Sequence, residues 1–363
     1  MITADIPRER LKNHHLIGGP LATPTDVIGW LGAVQAQEYA VAKWGIAQRT
    51  EGVTDAAFDS LLTDGAIIRT HVMRPTWHFV LPADLRWLLA LTAPRVHAQN
   101  AGRYRQLGLD AALFDRVNVL FAGALSGGKQ LTRAELAMVL ADAGIDTAGQ
   151  RLAYLLMQAE LDAVICSGGR RGKQFTYALF EERVPSAPHR DRDDALAELA
   201  RRYFASHGPA TAHDFAWWSG LTVTDARRGT ALAGSALVEV SIDGRTYWTN
   251  ATTAVDQGIG RAVHLLPIHD EYIGSYKDYS PIFDAGLSDR TPAGSDTLLG
   301  NILVVDGKVA GGWRRTVRSR EVVVTIDPLI PLGEAETAAV GAEANRFGRF
   351  MQRPVRIVMP GTH

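Results

Sequence analysis

The sequence predicts an α+β protein in which one unit of helix, turn, helix and β-hairpin is used three times, followed by a β-rich, barrel-like region with one helix. Three observations predict it: two neighbouring segments repeat the same order of helical and strand patterns, the N-terminal segment shows a further copy, and from about residue 254 strand patterns take over. Repetition of one supersecondary unit accounts for such self-similarity better than coincidence. The unit with that order is the winged helix, which sets expected divisions at residues 1–82, 83–188, 189–253 and 254–363.

In the first unit Thr23, Pro24 and Asp26 supply the N-cap, N1 and N3 positions of a helix whose Val27, Leu31 and Val34 stripe one face. Asp55 to Leu62 reads as a short helix, and AIIRTHVM with PTWHFVL as the hairpin. The second unit starts at Leu131, with Thr132 and Glu135 at the spacing of a capping box. Gln150 to Leu161 sets Leu152, Leu155, Leu156 and Ala159 on one face, and the β-prone runs AVIC and FTYALF follow, joined by SGGRRGKQ. The third unit opens with a helix from Asp191 through Ala205, takes Thr211 and Asp214 as capping residues, continues with a helix from Thr222 to Ala233, and ends in ALVEVSID and RTYWTN. Asp243-Gly244 between those last two runs is a strong hairpin signal. Beyond it come the strands AVHLLPI, NILVVDGKVAGGW, REVVVTI and PVRIVM, a turn at Asp306-Gly307, and a helix from Glu334 to Met351. SPIFDAGLSDRTPAGSD is rich in turn formers and reads as a long surface loop.

Composition narrows the function classes. With 363 residues and 46% apolar content the chain can bury several cores. Cys166 is the only cysteine, so no internal disulfide and no Cys-rich metal site is possible. The segment MITADIPRERLKNHHL lacks the apolar core of a signal peptide, and apolar runs such as Trp87 to Leu91 are too short to span a bilayer, so a cytoplasmic protein without membrane contact is expected. The 38 basic and 39 acidic side chains nearly cancel, so attraction to a polyanion must come from local patches. Arg170, Arg171 and Lys173 share one Gly-flanked loop, and Arg314, Arg315, Arg318 and Arg320 fall within seven residues. Either cluster alone reads as a solvated turn or strand face. Combined with three units of a type that often lays a helix in a DNA groove, both are expected to contact phosphate.

The search for a hydrolytic centre is mostly negative: there is no G-x-S-x-G elbow, no HEXXH, no P-loop and no Cys/His ligand spacing. His14 and His15 would point about 100° apart on a helix, which suits a polar surface better than a shared metal. Asp270, Glu271 and Asp278 suggest a carboxylate pair, but acidic residues at a turn more often solvate it or pair with arginines. In VQAQEYAVAKWG, Gln35 and Gln37 would diverge by about 200° on a continuous helix, so they serve one site only if the helix ends or distorts near Ala36. Arg69, His71, Trp77 and His78 line the first hairpin, where alternation puts Trp77 and His78 on opposite faces. His71 or His78 is a candidate to face a DNA cleft, although a single strand histidine is more often structural. Arg74, at the turn before Pro75, is the better phosphate contact.

Four stretches together, VQAQE, RTHVMRPTWHF, LLPIHDEYIGSYKD and VVDGKVAGGWRR, resemble the AlkZ-like DNA glycosylases of the winged-helix superfamily and span nearly the whole chain. In that family a Gln-x-Gln motif is catalytic, which carries over to Gln35 and Gln37; relatives with Gln-x-Asp form a separate branch. The resemblance implies a monofunctional glycosylase acting on double-stranded DNA that contains alkylated purines of the N7-alkylguanine or N3-alkyladenine type. It extends to bulky adducts, interstrand crosslinks and self-resistance to a genotoxin. It also implies a C-terminal hairpin that probes the minor groove, for which the arginine-bearing strands after Lys308 are the candidate. No cofactor or metal is expected, and a monomer at the nucleoid is.

The chemistry fits so weakly polar a site. Alkylation at N7 or N3 makes the purine a cationic leaving group, so the remaining task is to place water. A glutamine carbonyl can accept a water proton, and amide dipoles can stabilise positive charge on the sugar. A neutral amide is not a strong base, so the expected reaction is dissociative, slow on undamaged DNA and free of a lysine-linked intermediate. The alternative from another class is a non-catalytic winged-helix regulator, indifferent to Gln35 and Gln37 and reading two half-sites as a dimer. A nuclease would need metal-binding carboxylates and would cut without alkali.

Overall fold

The computed structural model describes residues 5–250, 261–283 and 300–359, a mixed α+β structure. After helix α1 (Ile6–Asn13), the chain forms α2 (Pro24–Leu31), β1 (Val34–Gln35), α3 (Tyr39–Ala47), α4 (Asp55–Thr63), β2 (Ile68–Val72) and β3 (Arg74–Val80). The short β1 pairs antiparallel with β3, giving a three-stranded sheet of order β1-β3-β2. The long α5 (Pro82–Gln106) leads to α6 (Ala111–Leu125), β4 (Leu131–Thr132), α7 (Arg133–Asp142), α8 (Arg151–Leu161), β5 (Ile165–Arg171) and β6 (Gln174–Leu179), with sheet order β4-β6-β5. After the single turn α9 (Phe180–Arg183) come α10 (Arg192–His207), α11 (Ala212–Ser219), α12 (Val223–Ala233), β7 (Leu237–Ile242) and β8 (Arg245–Asn250). One order therefore recurs: helix, short strand, two helices, and a hairpin whose second strand the short strand joins. In the last copy the short strand shrinks to one bridge between Ala210 and Trp248.

The caps read from sequence are present. Thr23 with Asp26, Thr132 with Glu135 and Thr211 with Asp214 each form a reciprocal capping box, and Asp243 and Gly244 take positive φ between β7 and β8. Among the helices that escaped the sequence pattern are α3, α5 and α6. In α3 every residue from Val41 to Ala47 is buried, so it shows no one-sided stripe. Ala42 and Ile46 pack into the first unit's core while Trp44 and Ala47 enter the C-terminal core. The 25-residue α5, with Pro94 inside it, braces β2, α8 and α10, and α6 supplies Val117, Phe121 and Leu125 to the second core. Two expected elements are corrected. Helix α2 ends at Leu31, where Gly32 takes φ +83, so Val34 lies in β1 rather than on the helical stripe. The expected SGGRRGKQ loop is mostly strand: β5 continues to Arg171 through a bulge after Ser167, leaving Gly172 and Lys173 as the turn.

The C-terminal region contains β9 (Val263–Leu266), α13 (Glu271–Gly274), β10 (Asn301–Val305), β11 (Lys308–Val317), β12 (Val322–Pro328), α14 (Glu334–Phe350) and β13 (Val355–Val358). Among the described residues its sheet is open, in the order β13-β12-β11-β10-β9, so the barrel-like expectation is corrected. A barrel closes to bury its own inner face. Here α14 covers one face through Val340, Ala344, Phe347 and Phe350, and Leu11, Leu16, Ile17 and Tyr272 cover the other. The expected long loop begins as the turn Ser280–Ile282; from residue 284 it lies outside the described residues, as does the division expected at 254. No helix among the described residues is long and apolar enough to cross a membrane.

Candidate active site

Gly32 ends α2, and the next residues extend along β3, with Val34 opposite Phe79, Gln35 opposite His78, and the Ala36 N–H donating to the Trp77 carbonyl at 2.7 Å. The helix is thus gone before the Gln-x-Gln motif begins. Divergence by about 200° does not apply, because that angle belongs to a continuous helix and the chain is strand at Gln35 and bend at Gln37. Gln35 is half-buried, whereas Gln37 is exposed at the bend that leads into α3.

Gln35 is held at both ends. Its backbone N–H donates to Glu271 Oε1 at 2.7 Å, and its side-chain Oε1 accepts from Arg74 Nη2 at 2.9 Å. A guanidinium accepts nothing, so the carbonyl must face Arg74 and the NH2 must face the other way. Gln35 and Arg74 line a cleft of about 490 Å3 together with Arg95 and Gln99 of α5, Trp217 of α11, and His269 and Tyr279. Gln37 is not among the lining residues. Trp217 is partly exposed, donates its indole N–H to the Gly274 carbonyl at 3.1 Å, and carries the Lys277 ammonium 4.8 Å from its ring centre. A larger cleft of about 730 Å3, lined by Trp87, His189 and Arg190, lies away from both glutamines.

The surroundings of Gln35 are mostly buried. Burial lowers the pKa of Arg74 against the pull of Glu271, and its Nε has no partner. His78 is fully buried; its Nδ1 lies 2.9 Å from the Thr76 carbonyl and so carries the proton. Burial and the Arg74 charge push the His78 pKa down to about 3, leaving Nε2 unprotonated 3.5 Å from Arg74. Arg69 Nε donates to the Ala36 carbonyl at 3.1 Å, tying down the residue between the two glutamines, and its guanidinium stacks on Trp77 and Phe175. Burial pushes its pKa down to about 10. His71 pairs with Glu160 and packs 4.4 Å from Trp77. His71 and His78 are therefore both interior, which corrects the expectation that one of them faces DNA, and Arg74 lines the cleft with its guanidinium on Gln35.

The acidic cluster is also rearranged by burial. Asp270 accepts from Arg49 at 2.7 and 2.9 Å, and Asp278 pairs with Arg245, as the arginine-pairing reading expects. Glu271 is only 2% exposed, and its Oε2 accepts from Trp218 Nε1 at 2.9 Å and from Ser275 Oγ. Burial alone would raise its pKa, but attraction to His207, 3.5 Å away, and hydrogen bonds from Ser275 and Gln35 hold it down at about 2. His14, expected on a polar surface, is fully buried with Nε2 2.9 Å from the Tyr276 hydroxyl. Sequence reasoning missed Arg95, Gln99, Trp217, His269 and Tyr279. They come from three separate segments and share no spacing; the only available signal was the HDEYIGSYKD stretch.

The family model for AlkZ-like DNA glycosylases matches residues 28–350. The chain belongs to the AlkZ-like DNA glycosylase family. It is accordingly a DNA glycosylase, an enzyme that cleaves N-glycosidic bonds. It is 27% identical over 369 residues to the interstrand DNA cross-link repair glycosylase of Streptomyces sahachiroi, covering 96% of this chain and 97% of that one. The solved Streptomyces sahachiroi DNA glycosylase AlkZ has a similar fold, with a TM-score of 0.78 at 26% identity over 99% of this chain and 100% of that one.

In this AlkZ-like chain half of the expected basic contacts already have acidic partners. Arg170 pairs with Asp59 at 2.9 Å, inside a group that includes Lys43 and Tyr39, and Arg171 pairs with Glu135 at 2.7 Å. Arg314 pairs with Asp327 and Arg318 with Glu321. Arg315 is half-buried 6.0 Å from the Phe347 ring, its pKa lowered by burial against the pull of Asp55 and Glu38. Lys173 and Arg320 are exposed at their hairpin tips. Exposed pairs such as Arg318–Glu321 are worth about 0–1 kcal/mol, so phosphate can displace the carboxylate at little cost.

Proposed function

We propose that this glycosylase hydrolyses the N-glycosidic bond of alkylated purines in duplex DNA, of the N7-alkylguanine or N3-alkyladenine type, with Gln35 and Gln37 as its catalytic residues. The observation that carries the reading is the clamped amide of Gln35 in the wall of an open cleft, on a segment that has left helical geometry before the motif. With its carbonyl turned to Arg74, Gln35 presents its amide dipole as a fixed element, while the exposed Gln37 is free to hold the attacking water. The adduct is already a cationic leaving group, and neither amide acts as a strong base.

The repeated helix, short strand, two helices and hairpin support three winged-helix units ahead of the C-terminal sheet. In this reading Lys173 at the second hairpin and Arg318 and Arg320 at the β11–β12 tip meet phosphate, with Arg170, Arg171, Arg314 and Arg315 behind them. The cleft is open rather than enclosed, which suits adducts too bulky to be flipped into a pocket. Interstrand crosslinks are included because the Streptomyces relative is an interstrand DNA cross-link repair glycosylase. The enzyme works as a monomer at the nucleoid and, where its host makes a genotoxin, protects it.

Incubation with an N7-methylguanine duplex followed by alkali should cut the strand at the lesion, and without alkali should leave it intact. Gln37→Ala should slow base release by on the order of 10²-fold while keeping DNA affinity. Release by neither enzyme from a panel of alkylated and crosslinked duplexes would reject the reading.

A further inference from the structure

We propose that Glu271 is a positioning residue of the glycosylase site that acts through Gln35; the proposal rests on the reading of Gln35 as a site residue. Strand β1 is two residues long and lies at the sheet edge, with β3 on one side only. In an antiparallel pair successive N–H groups point to opposite sides. The Ala36 N–H points to β3, so the Gln35 N–H points away from it and has no strand to bond. Glu271 takes that donor at 2.7 Å, from a helix 236 residues further along the chain. The carboxylate is itself fixed by the Trp218 indole N–H from α11 and by the hydroxyl of Ser275, one turn further along its own segment. A buried carboxylate accepts at up to four sites and donates at none, so the three converging donors suit it, whereas a glutamine amide would turn its NH2 toward at least one of them.

Charge gives the same residue a second effect on the site. Arg74 stands in the cleft wall with its guanidinium on the Gln35 carbonyl, so a positive charge borders the space in which, on the proposed reading, the departing purine leaves positive charge on the deoxyribose. Glu271 on the far side of Gln35 attracts Arg74 and offsets it. Gln35 thus bridges a buried anion and a buried cation, its backbone on one and its side chain on the other. Loss of Glu271 releases the edge strand and leaves Arg74 unbalanced, which slows bond cleavage more than it weakens DNA binding.

The test is single-turnover release of N7-methylguanine from a methylated duplex, read beside DNA affinity and melting temperature. Glu271→Gln should lower the rate at least tenfold with affinity within twofold of wild type, and Glu271→Asp, which restores the charge, should recover part of it. In a Gln35→Ala background Glu271→Gln should change the rate by clearly less than it does in wild type, because only its balance of the Arg74 charge still reaches the site. A folded Glu271→Gln enzyme at the wild-type rate, or an equal loss in both backgrounds, overturns the proposal. If Glu271→Gln does not fold, Ser275→Ala, which removes one bond from the carboxylate, should slow release severalfold in wild type and not in Gln35→Ala; no effect in wild type overturns it. Gln35→Ala at the wild-type rate would overturn the site reading and this inference together, whereas a slow Gln35→Ala beside a fast Glu271→Gln overturns only the role of Glu271.

Discussion

Arg74 shows how far one side chain's direction can separate two readings. As a residue before Pro75 at a hairpin turn it reads as a phosphate contact, but it folds inward to donate to Gln35 at 2.9 Å. A phosphate contact contributes about 0.9 to the slope of log affinity against log salt, and an internal arginine contributes nothing. Arg74→Met should therefore slow base release while leaving the salt slope of DNA binding unchanged. Lys173→Ala and Arg320→Ala should each lower that slope by about 0.9 without changing the single-turnover rate at saturation. An Arg74→Met enzyme with the reduced slope would restore the outward reading.

Two contacts between elements hold the Gln35 segment in place. The C-cap of α11, Gly220 at φ +71, comes so close to the first hairpin that an added Cβ would lie 2.2 Å from the Met73 carbonyl oxygen. Gly220→Ala should cost roughly 2 kcal/mol or more and displace the turn that carries Arg74. On the other side, the residues just after α3 meet the N-cap of α13 through the buried Arg49–Asp270 pair at 2.7 Å, with Gly45 of α3 giving the room. Removing one partner of a buried pair strands the other charge, so Asp270→Ala should lose about 3–5 kcal/mol in urea unfolding. A loss under 1 kcal/mol would mean that Arg49 finds another acceptor. Capped helices and the Asp243-Gly244 hairpin were legible because their signals are local. Helix α3 was not, since burial on both faces erases the period by which a helix is recognised.

At the scale of the molecule, burial of neutral histidines makes the fold acid-sensitive. His78 and His264 are pushed down to about 3 by burial, and His264 has no partner on either ring nitrogen. The unfolded chain takes up these protons near pH 6.5 and the native one only near pH 3, so unfolding binds protons between those values. Stability therefore falls as the pH drops below about 6.5, by at most about 1.4 kcal/mol per pH unit for each group. Glu271, held at about 2, acts in the same direction below its ordinary value of 4.5. The urea midpoint should fall between pH 7.5 and pH 5; a midpoint that stays constant or rises would contradict the buried neutral state.

The sequence by itself determined the α+β class, the capped helices, the hairpins, the Gln-x-Gln motif and the family, because each is written in local spacing or in ordered stretches along the chain. Only the tertiary structure decided that the motif lies beyond the helix, at the end of a strand and the bend after it, that Glu271 and Arg74 hold Gln35 from opposite sides, that His14, His71 and His78 are interior, and that the C-terminal sheet stays open. Those outcomes depend on which distant segments share the same small buried volume. A charged or polar side chain carries no local mark of whether water or a partner over two hundred residues away will satisfy it.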